Sequence, residues 1–171
     1  SRREEGERNF ATLRTAMATL KSAVKEHTFK SRGGHTNYVR SVACHLTNAN
    51  LFVSAGYDKQ VIIHSLDDPT GGKNILLAHP SYVYCAKFHP TLDGIVATVC
   101  DDKMVRIFNY RTNKCLVILK GHTRVYSVDW HPTDPSKLIT CSYDKTTIVW
   151  DWNAQKQLFT AKEHTGTVNC V

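Results

Sequence analysis

The chain has 171 residues, 42% of them hydrophobic and 22% charged, with 22 Lys and Arg against 15 Asp and Glu, a net charge of +7. That composition supports a buried core and excludes the weakly hydrophobic, highly charged class of disordered chains. No apolar run approaches the roughly 18 residues of a membrane helix, so no membrane insertion is expected, and the basic balance admits an acidic partner or nucleic acid without selecting either.

In chain order, the first residues, SRREEGER, are charged and lack the apolar stretch of a signal peptide. Over residues 9–27, Phe10, Leu13, Met17, Leu20 and Val24 recur at helical spacing, with Asn9 placed to cap them and Arg14, Lys21 and Lys25 off the stripe. The pattern predicts an N-terminal amphipathic α-helix, with the KSRGG stretch as its linker, so residues 1–34 form the first segment. Three roles are open to such a stripe: packing on the rest of its own chain, docking on a partner or coiled coil, or lying on a membrane surface. Glu4, Glu5 and Glu7 argue against a transit peptide.

Beyond residue 34 the period changes. His35, His79, His122 and His164 stand 44, 43 and 42 residues apart. An Asp follows the first three at 23, 23 and 22 residues: Asp58, Asp102 and Asp144. Four residues before each Asp is a small hydroxyl residue, Ser54, Thr98 or Thr140. Each unit reads as short strands broken by turn residues, an all-β signal without βαβ alternation. The period divides the chain into repeats at 35–78, 79–121 and 122–163, with 164–171 opening a further one.

Six cysteines form no Cys-x-x-Cys pair and sit mostly inside strand-like runs, so free thiols of a reducing, intracellular compartment are expected. No phosphate loop, nucleophile elbow or metal-ligand spacing occurs. Of nine histidines, seven hold equivalent repeat slots, leaving His27 and His64. A His-Ser-Asp triad is the tempting reading of the repeated trio, but an active site is not tiled three times at one spacing. No catalytic residue, cofactor or metal is therefore expected.

At these residues the chain resembles the WD40-repeat family, through Gly34-His35, Gly121-His122 and Trp150-Asp151, with degraded marks at Ala78-His79, Glu163-His164, His64-Ser65 and Phe108-Asn109. The resemblance implies β-propeller blades of four antiparallel strands, about three blades plus the start of a fourth. Three blades do not close a ring, so a piece of a longer propeller is expected, or an arc completed by another chain. The resemblance further implies a buried hydrogen-bond set in each blade: His35, Ser54 and Asp58; His79, Thr98 and Asp102; His122, Thr140, Asp144 and Trp150. The second set is one bond short because Phe108 has no donor, while His64 can stand in for Trp in the first. A narrower resemblance, through LLAHPSYVYCAKFHP and DDKMVRIF, is to one blade of a ciliary transition-zone scaffold. It adds cilium or basal body to the cytoplasm and nucleus as locations.

The family's rim contacts map onto Tyr38 and Arg40, Tyr82 and Tyr84, Arg124 and Tyr126, and onto Tyr57, Asp101 and Tyr143 before the turn Asp. Six of seven tyrosines thus fall on one rim; Tyr110 does not. Tyr and Arg dominate binding energy at interfaces, which points to a scaffold holding other proteins of a larger complex. Two alternatives stand beside it: a binder of RNA or other single-stranded nucleic acid, using the aromatics and arginines, and a ubiquitin-ligase substrate receptor. The motif of the latter, Trp-Asp-x-Arg, is matched only by Phe108-Asn109-Tyr110-Arg111.

Overall fold

The computed structural model describes residues 34–67, 73–76 and 79–171, with backbone alone at 73–76. The expected helix, with its stripe of Phe10, Leu13, Met17, Leu20 and Val24, lies outside the described residues. Those residues hold twelve strands: β1 Val39–Cys44, β2 Leu51–Gly56, β3 Val61–Ser65, β4 Lys73–Leu76, β5 Val83–Phe88, β6 Ile95–Cys100, β7 Met104–Asn109, β8 Lys114–Lys120, β9 Val125–Trp130, β10 Lys137–Ser142, β11 Thr147–Asp151 and β12 Lys156–Ala161. They form three four-stranded antiparallel sheets in sequential order, β1–β4, β5–β8 and β9–β12. No helix occurs among the described residues.

Each sheet is a sequential antiparallel meander of short strands, with a corner of three or four residues between its second and third strands. The Asp-Lys turns put Lys59, Lys103 and Lys145 at φ 66°, 76° and 68°, in the left-handed region. In every case the preceding Asp accepts a hydrogen bond from the N–H two residues on: Gln60 to Asp58 (3.2 Å), Met104 to Asp102 (3.2 Å) and Thr146 to Asp144 (3.1 Å). This Asx turn fixes the β2–β3, β6–β7 and β10–β11 corners.

The sheets stack through apolar faces. Val53, Ala55, Val61 and Ile63 of the first sheet pack on Val83, Ala86, Phe88, Val96 and Phe108 of the second. The second sheet's opposite face, with Ala97, Val99, Val105 and Ile107, packs on Val125, Val128, Leu138 and Trp150 of the third. The middle sheet is therefore buried on both sides, and every residue of β6 is buried. The first strand departs from this pattern. Val83 and Ala86 of β5, and Val125 and Val128 of β9, are 0% exposed, whereas Val39 and Val42, their counterparts in β1, are 53% and 65% exposed.

All three first strands carry an irregularity at one place. Val39 pairs with Gly56 and Ser41 with Ala55, which leaves Arg40 as the extra residue. Val83 pairs with Cys100 and Cys85 with Val99, leaving Tyr84. Val125 pairs with Ser142 and Ser127 with Cys141, leaving Tyr126. A bulge of this kind bends its strand and re-aims the unpaired side chain.

Candidate functional site

The repeated His, hydroxyl and Asp residues converge in the first and third sheets. His122 Nδ1 lies 3.1 Å from Asp144, and its Nε2 lies 2.8 Å from Thr140 Oγ1. Trp150 donates its indole N–H to that same oxygen at 2.8 Å. A carboxylate only accepts, so His122 donates from Nδ1 and its Nε2 accepts the Thr140 hydroxyl. This arrangement needs a neutral ring, and burial holds the His122 pKa below the ordinary histidine value despite the neighbouring Asp144. Burial works to raise the Asp144 pKa. The Thr146 hydroxyl, the Thr123 N–H, Ser142 and His122 outweigh it and hold the carboxyl well below the usual range. Trp150 also explains the glycine before His122: a Cβ at Gly121 would come within 2.8 Å of the indole.

In the first sheet His35 Nδ1 lies 2.8 Å from Asp58 and its Nε2 lies 2.8 Å from Ser54 Oγ. His64 Nε2 reaches the same hydroxyl at 2.8 Å, in the role Trp150 plays in the third sheet. Ser54 has one proton for two imidazoles, so His64 is the donor when His35 accepts.

The second sheet solves the problem differently. His79 Nε2 meets Thr98 Oγ1 at 3.0 Å. Phe108 brings no donor, and Asp102 is gripped instead by the Arg106 guanidinium, at 3.0 Å and 2.5 Å. The set lacks the indole bond that Trp150 gives Thr140, and sequence spacing did not show the ion pair that is added to it. Its cause is register: Arg106 sits opposite Thr98, where the other sheets place Ile62 opposite Ser54 and Ile148 opposite Thr140. Burial raises the Asp102 pKa, but Arg106 prevails and lowers it.

The nine mapped rim residues also come together. The bulges turn Arg40, Tyr84 and Tyr126 to one end of the sheets. Backbone bonds tie the neighbouring corners to them: Tyr57 N–H donates to Tyr38 O (2.9 Å), Asp101 N–H to Tyr82 O (2.8 Å) and Tyr143 N–H to Arg124 O (3.0 Å). Ring contacts then run without a break across all three sheets. Tyr38 meets Tyr57 edge-on at 6.3 Å; Tyr57 stacks on Tyr82 at 4.7 Å and meets Tyr84 edge-on at 6.0 Å. Tyr84 meets Tyr126 at 5.1 Å, and Tyr126 meets Tyr143 at 6.5 Å. Arg40 lies 5.8 Å over the Tyr57 ring and Arg124 lies 5.9 Å over Tyr143. Asp101 sits inside the ladder, accepting the Tyr84 hydroxyl at 2.7 Å and facing Arg124 at 3.1 Å. Burial, then the Asp101 carboxylate, pushes the Tyr84 hydroxyl pKa above its ordinary value. Tyr38, Tyr82 and Tyr143 are exposed, while Tyr84, Tyr57 and Tyr126 are half-buried supports.

Other residues with chemical potential have structural work. Tyr110 is buried, with its hydroxyl 2.8 Å from Asp93, which also pairs with Arg111. The Phe108-Asn109-Tyr110-Arg111 stretch is thus tied into the fold. His45, His89 and His131 share a role that the spacing alone did not expose: the Nδ1 of each accepts N–H groups of its own strand-joining loop, from Thr47 and Asn48, Thr91 and Leu92, or Thr133 and Asp134. Burial keeps the His89 pKa low, as an accepting Nδ1 requires. Their equal position after each first strand was the available signal. Among the described residues no group of His, Cys, Asp or Glu is arranged to hold a metal, and no helix is long and apolar enough to cross a membrane. All six cysteines are free.

Comparison with known proteins agrees with this geometry. The profile of the family described as WD domain, G-beta repeat, matches residues 24–65, 73–109 and 113–151, more than half of the chain. Each of the last two matches starts on the outer strand of one sheet, β4 or β8, and ends on the third strand of the next. The chain is 32% identical over 91 residues to a probable coatomer subunit beta' of Schizosaccharomyces pombe, covering 53% of this chain and 11% of that protein. It is 34% identical over 92 residues to coatomer subunit beta'-2 of Arabidopsis thaliana, covering 53% and 10%. It is 33% identical over 95 residues to human coronin-2A, covering 52% and 18%. The matches therefore span less than a fifth of each of these relatives.

Proposed function

The chain belongs to the WD40 family, and from that premise we propose that it is a non-catalytic scaffold which holds protein partners on its tyrosine and arginine rim. The observation that carries this reading is the unbroken ladder of six tyrosines across three sheets, with exposed rings at Tyr38, Tyr82 and Tyr143. Such rings offer large contact area at small entropic cost, and half-buried neighbours hold them in place. The chemistry of the buried sets fits the same reading, because each His, Ser, Thr and Asp in them is engaged in holding a corner. Two of the relatives are named as subunits, that is, as parts of an assembly. The working units are taken as blades 35–78, 79–121 and 122–163, with 164–171 beginning another. Free cysteines support an intracellular setting.

The test is quantitative affinity purification with Tyr38→Ser and Tyr82→Ser combined, against Lys114→Ala on the opposite end of the sheets as control. The rim variant should lose a defined set of partners at unchanged melting temperature, since truncating an interface anchor typically costs about 2 kcal/mol. A partner set identical to that of the unaltered chain would reject the rim.

A further inference from the structure

The rim carries charge that its tyrosines do not explain. Arg40 stands on the first bulge, and Lys59, Lys103 and Lys145 stand in the three corners, each two residues beyond a rim position. All four are exposed. Among the described residues none of the four is ion-paired, whereas the rim's own carboxylates are engaged. Asp58 has a side chain only 2% exposed, against His35. Asp102 is held by Arg106, Asp144 by His122, and Asp101 by Arg124 and Tyr84. At the opposite end Arg111 pairs with Asp93, Lys137 with Asp134, and Lys87 faces Asp129 at 4.0 Å, while Lys114 and Lys156 are exposed there and enter none of these pairs, so what sets the rim apart is the inward turn of its carboxylates. Acids on the rim are turned inward while its cations are left outward.

We propose that the rim's ligand is an acidic segment of a partner protein, rich in Asp and Glu, laid across the tyrosine ladder with its carboxylates toward Arg40 and the three corner lysines. This inference rests on the rim reading above and names the chemistry of its ligand. Complementary charge at an interface steers encounter and selects the partner. Nucleic acid also carries negative charge, but a single-strand platform needs free aromatic faces for the bases. Here Tyr57 is stacked by Tyr82 and covered by Arg40, Tyr143 is covered by Arg124, and Tyr84 and Tyr126 meet edge to face. Tyr38, Tyr82 and Tyr143 are the exposed rings of the ladder, and a tyrosine hydroxyl can donate to a carboxylate.

The experiment measures fluorescence anisotropy of labelled peptides on the 171-residue chain. Three peptides share their Phe and Leu residues and differ in carrying Asp/Glu, Ser/Gln or Lys/Arg at the remaining positions; an oligothymidylate is the fourth probe. The acidic peptide should bind at least about tenfold more tightly than the neutral one. Lys59→Asn, Lys103→Asn and Lys145→Asn together should erase that margin without lowering the melting temperature, because Asn tolerates the left-handed corner. Lys114→Asn and Lys156→Asn, at the opposite end, should leave it intact. Equal binding of the neutral peptide, weakened by Tyr82→Ser, would overturn the acidic preference and spare the rim reading. Acidic-peptide binding that no rim substitution affects would overturn both. Tighter binding of oligothymidylate, or no binding of any peptide, would also overturn the proposal.

Discussion

Arg106 shows how one residue re-engineers a repeated site. At its register position the first and third sheets carry Ile62 and Ile148, and their Asp residues meet histidine. In the second sheet the guanidinium takes Asp102, with side chains 15% and 19% exposed. Removing one partner of so sheltered a pair strands the other. Asp102→Ala should therefore cost about 2 kcal/mol in urea unfolding, and adding Arg106→Ile should recover a large part of that loss. A double variant no more stable than Asp102→Ala alone would show that the pair does not hold this corner. The substitution is legible in the sequence once YDKQVII, DDKMVRI and YDKTTIV are aligned on their Asp residues. Its consequence is not, because which carboxylate a long side chain reaches depends on strand pairing rather than spacing.

At the level of the strand, the decisive devices are the bulges at Arg40, Tyr84 and Tyr126. The histidine-to-aspartate spacing makes the repeat, the strands and the corners readable, since period and turn chemistry are written locally. A bulge is not written locally: it is one residue by which two paired strands fail to match, and neither strand shows it alone. The same limit applies to exposure. Val42, Ala86 and Val128 occupy one position in three first strands, yet only Val42 lies open, because no described sheet packs against that side of β1. Val128→Asp should cost about 3 kcal/mol or more, as a charge buried without a partner does. Val42→Asp should cost less than about 0.5 kcal/mol. Chemical denaturation separates the two, and comparable losses would mean that the β1 face is covered in solution. If copies of the chain associate through that face, sedimentation should show Val42→Asp dispersing them.

On the scale of the whole molecule, the unit of sequence and the unit of hydrogen bonding are out of step by one strand. The family matches at 73–109 and 113–151 borrow their opening strands, β4 and β8, from the sheet before. Each of these two repeats is thereby laced to its predecessor by a complete ladder as well as by apolar packing; for β7 with β8 that ladder runs from Met104 opposite Lys120 to Asn109 opposite Lys114. Such lacing makes the chain divisible in an unusual way. Severed between Thr112 and Asn113, in the exposed turn between β7 and β8, it yields one piece ending in an unsatisfied β7 and another beginning with an orphaned β8. Each piece carries the strand the other lacks, so the two should be poorly structured when expressed apart and should reconstitute one particle when co-expressed. Recovery of native-like circular dichroism and co-elution of the halves would be the evidence. Fused to the halves of a reporter enzyme, the same pair would act as a complementation tag whose specificity is written in backbone hydrogen bonds.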